Sequence, residues 1–261
     1  MTACLLIHGF TGGPYEVEPL DKYLREHTDW RIETVCLPGH GLGEEGKGLD
    51  LAGVSHKVWI KTAEEAFLHI REKEETIYLI GFSMGGMIAS YLAAKYQVEK
   101  LVLLSASRKF FSIPRMSMDI ANFAWKAVRR TLNTDPVFEN YRRKFGLVPF
   151  SASVEFLKCM KFTKPYLKKI KTPVFIVQGI QDGMVPYKSV HYLDKEIPAK
   201  TEVVYFYNSK HLILLGEDKD LVIQAVFSFL TKKLNKKNTS VRALQKNTYR
   251  GEQGTFAFLI V

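Results

Sequence analysis

Residues 77–86 read Ile-Tyr-Leu-Ile-Gly-Phe-Ser-Met-Gly-Gly, a β-branched and aromatic run that breaks into glycines around Ser83 and continues with helical periodicity. Gly81-Phe82-Ser83-Met84-Gly85 fits the G-x-S-x-G pattern, in which a strand turns so sharply into a helix that the serine is held strained at the sheet edge. At Gly81 and Gly85, and at Gly86 beside them, a Cβ would collide where strand and helix backbones cross, so only the smallest side chain allows the turn. The Ser83 hydroxyl then stands exposed on a rigid turn, with the unpaired amides and positive end of the next helix aimed at whatever it attacks. A strand–glycine–helix junction can also cradle a phosphate. Here the spacing of Gly81, Gly85 and Gly86 matches neither G-x-G-x-x-G nor G-x-x-x-x-G-K-[ST], and no lysine follows.

The flanking sequence supplies a sheet for this turn. Residues 3–7 form a short apolar run of buried-strand type ending at His8-Gly-Phe-Thr-Gly-Gly-Pro14, and a helical pattern over 15–25 and a strand over 31–37 follow. Pro38-Gly-His-Gly41 turns the chain, and Ser55 is placed to cap an amphipathic helix running to Arg71. Strands over 77–80 and 101–104 bracket a helix over 84–96. Continuous apolar strands separated by helices predict a parallel sheet covered on both faces, with ligands at the carboxyl ends of the strands. Residues 108–168 interrupt the rhythm with helical patterns rich in aromatics, Lys and Arg and no core strand. The rhythm resumes with a strand over 173–178, a short helix near 187–196, a strand over 202–207 and a closing helix over 218–234. The expected organisation is a core of residues 1–107 and 169–234 with about six strands, a helical cap at 108–168 inserted after the fourth strand, and a loosely attached tail at 235–261.

A 261-residue chain that is 46% hydrophobic can bury a full core in one domain. The N-terminus lacks a basic region and a long apolar region, and no stretch approaches the ~18 apolar residues of a membrane span. Cys4, Cys36 and Cys159 have neither disulfide nor zinc-site spacing. Both features predict a cytoplasmic protein. The net charge of +10 concentrates in residues 108–171, with 15 basic and 4 acidic side chains, and in residues 232–261, with 7 and 1. No nucleic-acid-binding module accompanies that charge, so no nucleic-acid partner is expected. The basic segment instead predicts weak association with anionic lipid surfaces.

A serine hydroxyl needs a histidine to accept its proton and a carboxylate to orient that histidine. His211 follows a strand and precedes the last helix, and Asp182 lies in a glycine-flanked loop after the strand over 173–178. Their order, Ser83…Asp182…His211, is the one expected on such a scaffold. Asp135, in the cap segment, is the fallback acid. Near His8 the useful group is the Phe10 amide, which can pair with that of Met84 to form an oxyanion hole. His40 reads as a turn residue or a contact behind the site, and His27, His56, His69 and His191 as surface or helix positions.

His8-Gly-Phe-Thr-Gly-Gly, Pro38-Gly-His-Gly, Gly81-Phe-Ser-Met-Gly-Gly, Asp182 and His211 resemble the α/β-hydrolase family over about residues 3–234, in particular its bacterial carboxylesterase and monoacylglycerol-lipase branch. The resemblance implies an α/β-hydrolase fold and a serine hydrolase of carboxylic esters without metal or organic cofactor. Relatives usually carry a β-segment before the His-Gly strand, whereas this chain begins almost at that strand. The substrate expected is a small acyl ester, short- to medium-chain or a monoacylglycerol, in a slot lined by Phe10, Phe110, Phe111 and Trp125. The same three residues could act on acyl-thioesters or carbon–carbon bonds, and a pocket of this kind can also serve a non-catalytic binding protein.

Overall fold

The computed structural model describes residues 1–41, 48–106, 148–232, 245–251 and 254–260, the last two stretches as backbone. Six parallel strands form the sheet: β1 (Thr2–Ile7), β2 (Arg31–Val35), β3 (Thr76–Phe82), β4 (Lys100–Leu104), β5 (Val174–Gly179) and β6 (Thr201–Phe206). The helices between and after them are α1 (Glu18–His27), α2 (His56–Arg71), α3 (Met84–Lys95), α4 (Phe150–Thr163), α5 (Val190–Glu196) and α6 (Lys219–Thr231). The strand order is β2-β1-β3-β4-β5-β6. From β1 the chain steps to one side, then crosses back and builds outward on the other. The switch point therefore lies between β1 and β3, where the loops after these strands part and leave a crevice.

Alternation along each strand divides the core into two layers. Ala3, Leu5, Ile7, Leu79 and Leu103 face a layer that includes Trp59 and Phe67 of α2 and Ile88 of α3. Cys4, Leu6, Ile80 and Val102 face Leu20 of α1 and Val222, Val226 and Phe229 of α6. Every residue of β4 is buried, as befits a central strand covered on both faces. Burying each large side chain contributes about 1.5–3 kcal/mol relative to leaving it in water. Helix α3 is buried at every position from Met84 to Ala93, which explains its apolar character all round.

Local chemistry sets the element ends. Sequence periodicity predicts a helix over 15–25, but Pro14–Glu16 close a separate 3₁₀ turn and α1 starts at Glu18. It stops where the Thr28 hydroxyl takes the Leu24 carbonyl at 2.6 Å. Strand β2 ends at Val35, two residues before the expected limit, and the Leu37 amide turns away to His8 Nε2 at 3.0 Å. Within the segment expected as a cap, α4 packs on the core. Its Ala152, Phe156 and Cys159 are buried in the same layer as Trp59, Phe67 and Met87. In the expected tail, β7 (Gln245–Gly251) and β8 (Gly254–Ile260) form an antiparallel hairpin, and β8 adds to the edge of β6 through Val204↔Ile260 and Tyr205↔Leu259. The run Phe256-Ala-Phe-Leu-Ile260 has strand propensity, and the β6 edge offers unpaired backbone groups to receive it. Among the described residues no helix is long and apolar enough to cross a membrane.

Candidate active site

Ser83 sits between β3 and α3 with φ 51° and ψ −114°, a left-handed conformation that costs a non-glycine residue about 1–3 kcal/mol. The surrounding packing imposes it. A Cβ on Gly81 would lie 2.4 Å from Gly85 O, one on Gly85 2.2 Å from Ile7 O, and one on Gly86 2.4 Å from Ala106 Cβ. The start of α3 is thereby pressed against the end of β1, and the Ser83 amide is tied to Leu104 O of β4 at 2.9 Å.

Two later strand ends bring partners to the serine. Ser83 Oγ lies 3.1 Å from His211 Nε2, and His211 Nδ1–H donates to Asp182 Oδ2 at 2.8 Å. Asp182 is 2% exposed, and its carboxylate is saturated by design of the loop. Oδ1 accepts the Met184 and Val185 amides, both at 2.8 Å, and Oδ2 also accepts Gln178 Nε2 at 2.9 Å. Such a carboxylate is held in one orientation, which in turn selects the imidazole tautomer with its bare nitrogen toward Ser83. The His211 loop is anchored as firmly. The Gln181 amide donates to Ser209 O at 3.1 Å, and buried Asp218 accepts the Ser209 hydroxyl at 2.8 Å and the Asn208 amide at 3.2 Å.

The remaining expected residues divide. The Met84 amide is the first of α3 and has no intrahelical acceptor, and the Phe10 amide lies in the loop after β1. Neither amide has a hydrogen-bond acceptor among the described residues. The Phe10 ring stacks on Phe156 of α4, with centroids 4.9 Å apart, and lies 5.7 Å from Trp59. Phe110, Phe111, Trp125 and Asp135 lie outside the described residues.

Sequence reasoning missed three contributors. Phe156 is one; its apolar spacing within the helical pattern of residues 150–163 was the available signal. His8 is the second. It is fully buried, its Nε2 accepts the Leu37 amide at 3.0 Å, and its Nδ1–H donates to Gly9 O at 2.8 Å. Burial first and the nearby His40 second keep it neutral, pushing its pKa down to about 3 against the opposing effect of the Gly9 bond. Because a trans peptide aims its C=O and N–H in opposite directions, a bond to Gly9 O orients the Phe10 N–H. Gln178 is the third, a buried amide behind Asp182 that no motif marks.

The chain belongs to the alpha/beta hydrolase family, whose sequence model matches residues 4–225. Among curated proteins it is similar to a carboxylesterase of Bacillus subtilis (strain 168), 25% identical over 88% of this chain and 92% of the relative. It is also similar to a thermostable monoacylglycerol lipase of Bacillus sp. (strain H-257), 27% identical over 87% and 90%. Among solved structures, one from work on the metagenome-derived lipolytic enzymes LipS and LipT superposes with a TM-score of 0.69 at 18% identity, covering 88% of this chain and 93% of that one.

Proposed function

We propose that this chain hydrolyses carboxylic esters through an acyl-enzyme on Ser83. The observation that carries the reading is the unbroken chain Ser83 Oγ, His211, Asp182, on one crevice at the carboxyl end of the sheet. Ser83 Oγ attacks the ester carbonyl as its proton passes to His211 Nε2, and Asp182 stabilises the imidazolium. The Phe10 and Met84 amides receive the developing oxyanion. His211 returns the proton to the departing alcohol, and water then repeats the sequence to release the acid. The carboxylesterase and lipase names of the relatives support the ester as substrate class.

The half-buried Phe10 ring, backed by the buried Phe156 and Trp59, favours a short- to medium-chain acyl group or a monoacylglycerol, with Phe110, Phe111 and Trp125 proposed to line the rest of the slot. Lys158, Lys161, Lys164, Lys168 and Lys169 are exposed on α4 and the turn after it, a basic face suited to weak contact with anionic lipid. Three free cysteines fit a cytoplasmic protein.

The test is hydrolysis of p-nitrophenyl esters from acetate to palmitate by the wild type and Ser83→Ala. The expected result is an optimum at short to medium chains and a loss of at least about 10⁴-fold in kcat in the variant. A folded wild type no better than Ser83→Ala on every ester would overturn the reading.

A further inference from the structure

Glu16 is a carboxylate in the core, 5% exposed, in the 3₁₀ turn that follows the His8–Gly13 loop. Burying a carboxylate costs free energy unless strong bonds offset it. Glu16 Oε2 accepts the Gly9 amide at 2.8 Å, seven residues upstream. The loop is folded around the carboxyl group: a Cβ on Gly12 would lie 2.0 Å from Glu16 Cδ, and one on Gly9 3.1 Å from Oε2. Both glycines thus leave the space that the carboxylate fills, and both flank Phe10 closely in sequence. Residue 11 between them has φ 63°, so the loop is wound tightly over the same group.

Gly9 has the widest backbone freedom of any residue type, and its conformation decides where the next amide points. Its N–H is held by Glu16 and its C=O by His8, so both of its peptide groups are pinned from opposite ends. We propose that Glu16 is a positioning residue for the Phe10 amide, clamping the loop so that this N–H stays aimed at the oxyanion. The proposal rests on the ester-hydrolase reading above. Glu16 touches no reacting atom; it acts through Gly9.

The test compares Glu16→Ala and Glu16→Gln with the wild type on p-nitrophenyl butyrate and by the rate at which a fluorophosphonate labels Ser83. The phosphoryl oxygen of that probe needs the same amide donors, while no ester turnover is involved. Deleting an oxyanion donor costs about 10²–10³-fold, so loosening one in Glu16→Ala is expected to lower kcat and labelling by about 10- to 100-fold with KM within about 2-fold. Glu16→Gln, which keeps the size and an acceptor oxygen, recovers most of both rates. Melting curves establish that the variants compared are folded. If Glu16→Ala does not fold, Glu16→Asp takes its place, since it withdraws the carboxylate from Gly9 and is expected to show the same split. Wild-type rates in folded Glu16→Ala or Glu16→Asp, or Glu16→Gln as slow as Glu16→Ala, overturn the proposal. A wild type that labels at Ser83 but cleaves no ester overturns the ester reading alone, and the labelling rates still decide the role of Glu16.

Discussion

His8 and His40 face each other with ring centroids 5.0 Å apart beneath the loop that carries Phe10. Burial is the main force holding both uncharged, with pKa values pushed down to about 3 for His8 and about 4 for His40. In the unfolded chain both would titrate near 6.5. As pH falls below that value the unfolded state takes up protons that the folded state refuses, so stability declines from about pH 6.5 and the loss is complete only below the folded values. At pH 4.5 the penalty is about 2–3 kcal/mol per histidine. His40 Nε2 has no hydrogen-bond partner among the described residues, and Pro38 O, which accepts its Nδ1–H at 3.3 Å, also accepts Trp59 Nε1–H at 3.0 Å, so His40→Phe removes the charge liability and leaves no carbonyl without a donor. Urea unfolding at pH 7.5 and 4.5 should show a steep acid loss in the wild type and about half that loss in His40→Phe. An equal loss in both would place the acid sensitivity elsewhere.

At the scale of elements, single side chains join segments that sequence periodicity treats separately. Lys100 opens β4 and is 3% exposed, yet its ammonium donates to Phe229 O at 2.9 Å, Leu230 O at 2.7 Å and Lys232 O at 2.7 Å. Phe229 O and Leu230 O are end carbonyls of α6, which have no intrahelical donor and carry the negative end of the helix dipole, and Lys232 is the extended residue that caps it. Lys100→Met keeps the stem and deletes the three bonds, and the expected cost is about 2–4 kcal/mol. The urea midpoint should fall with its slope unchanged; an unmoved midpoint would mean that the helix end needs no such cap. Glu155 of α4 similarly accepts both the amide and the Nδ1–H of His56, at 3.0 and 2.6 Å, clasping the start of α2. His56 reads in the sequence as a surface or helix position, and its bond to Glu155 is not marked there because the partner is 99 residues away.

For the whole molecule, the six parallel strands and the helices on their two faces make a closed unit. Strand β8 meets it through two register pairs, whereas β1 and β3 share six. We therefore propose that residues 1–234 fold alone and that the hairpin is an addition to an edge. A chain ended after residue 234 is expected to keep wild-type p-nitrophenyl ester hydrolysis and to melt within a few degrees of the full chain. Loss of soluble, folded protein on truncation would make the hairpin part of the core.

What the sequence determined by itself is whatever is encoded over a few neighbouring residues. The turn at Ser83 was legible because Gly81, Gly85 and Gly86 are the only residue type that the crossing of β3 and α3 admits, and the distances to Gly85 O, Ile7 O and Ala106 bear this out. Alternating strands and helices were legible from apolar periodicity, and with them the strand ends on which Asp182 and His211 sit. Tertiary structure decided the rest. Only the sheet order puts the loops after β1, β3, β5 and β6 at one crevice, so only the fold brings His211 to 3.1 Å from Ser83 Oγ. The buried partners of Gly9, Asp182 and α6, namely Glu16, Gln178 and Lys100, carry no periodic or motif signal. A polar residue announces its bond only when its partner has been folded into reach.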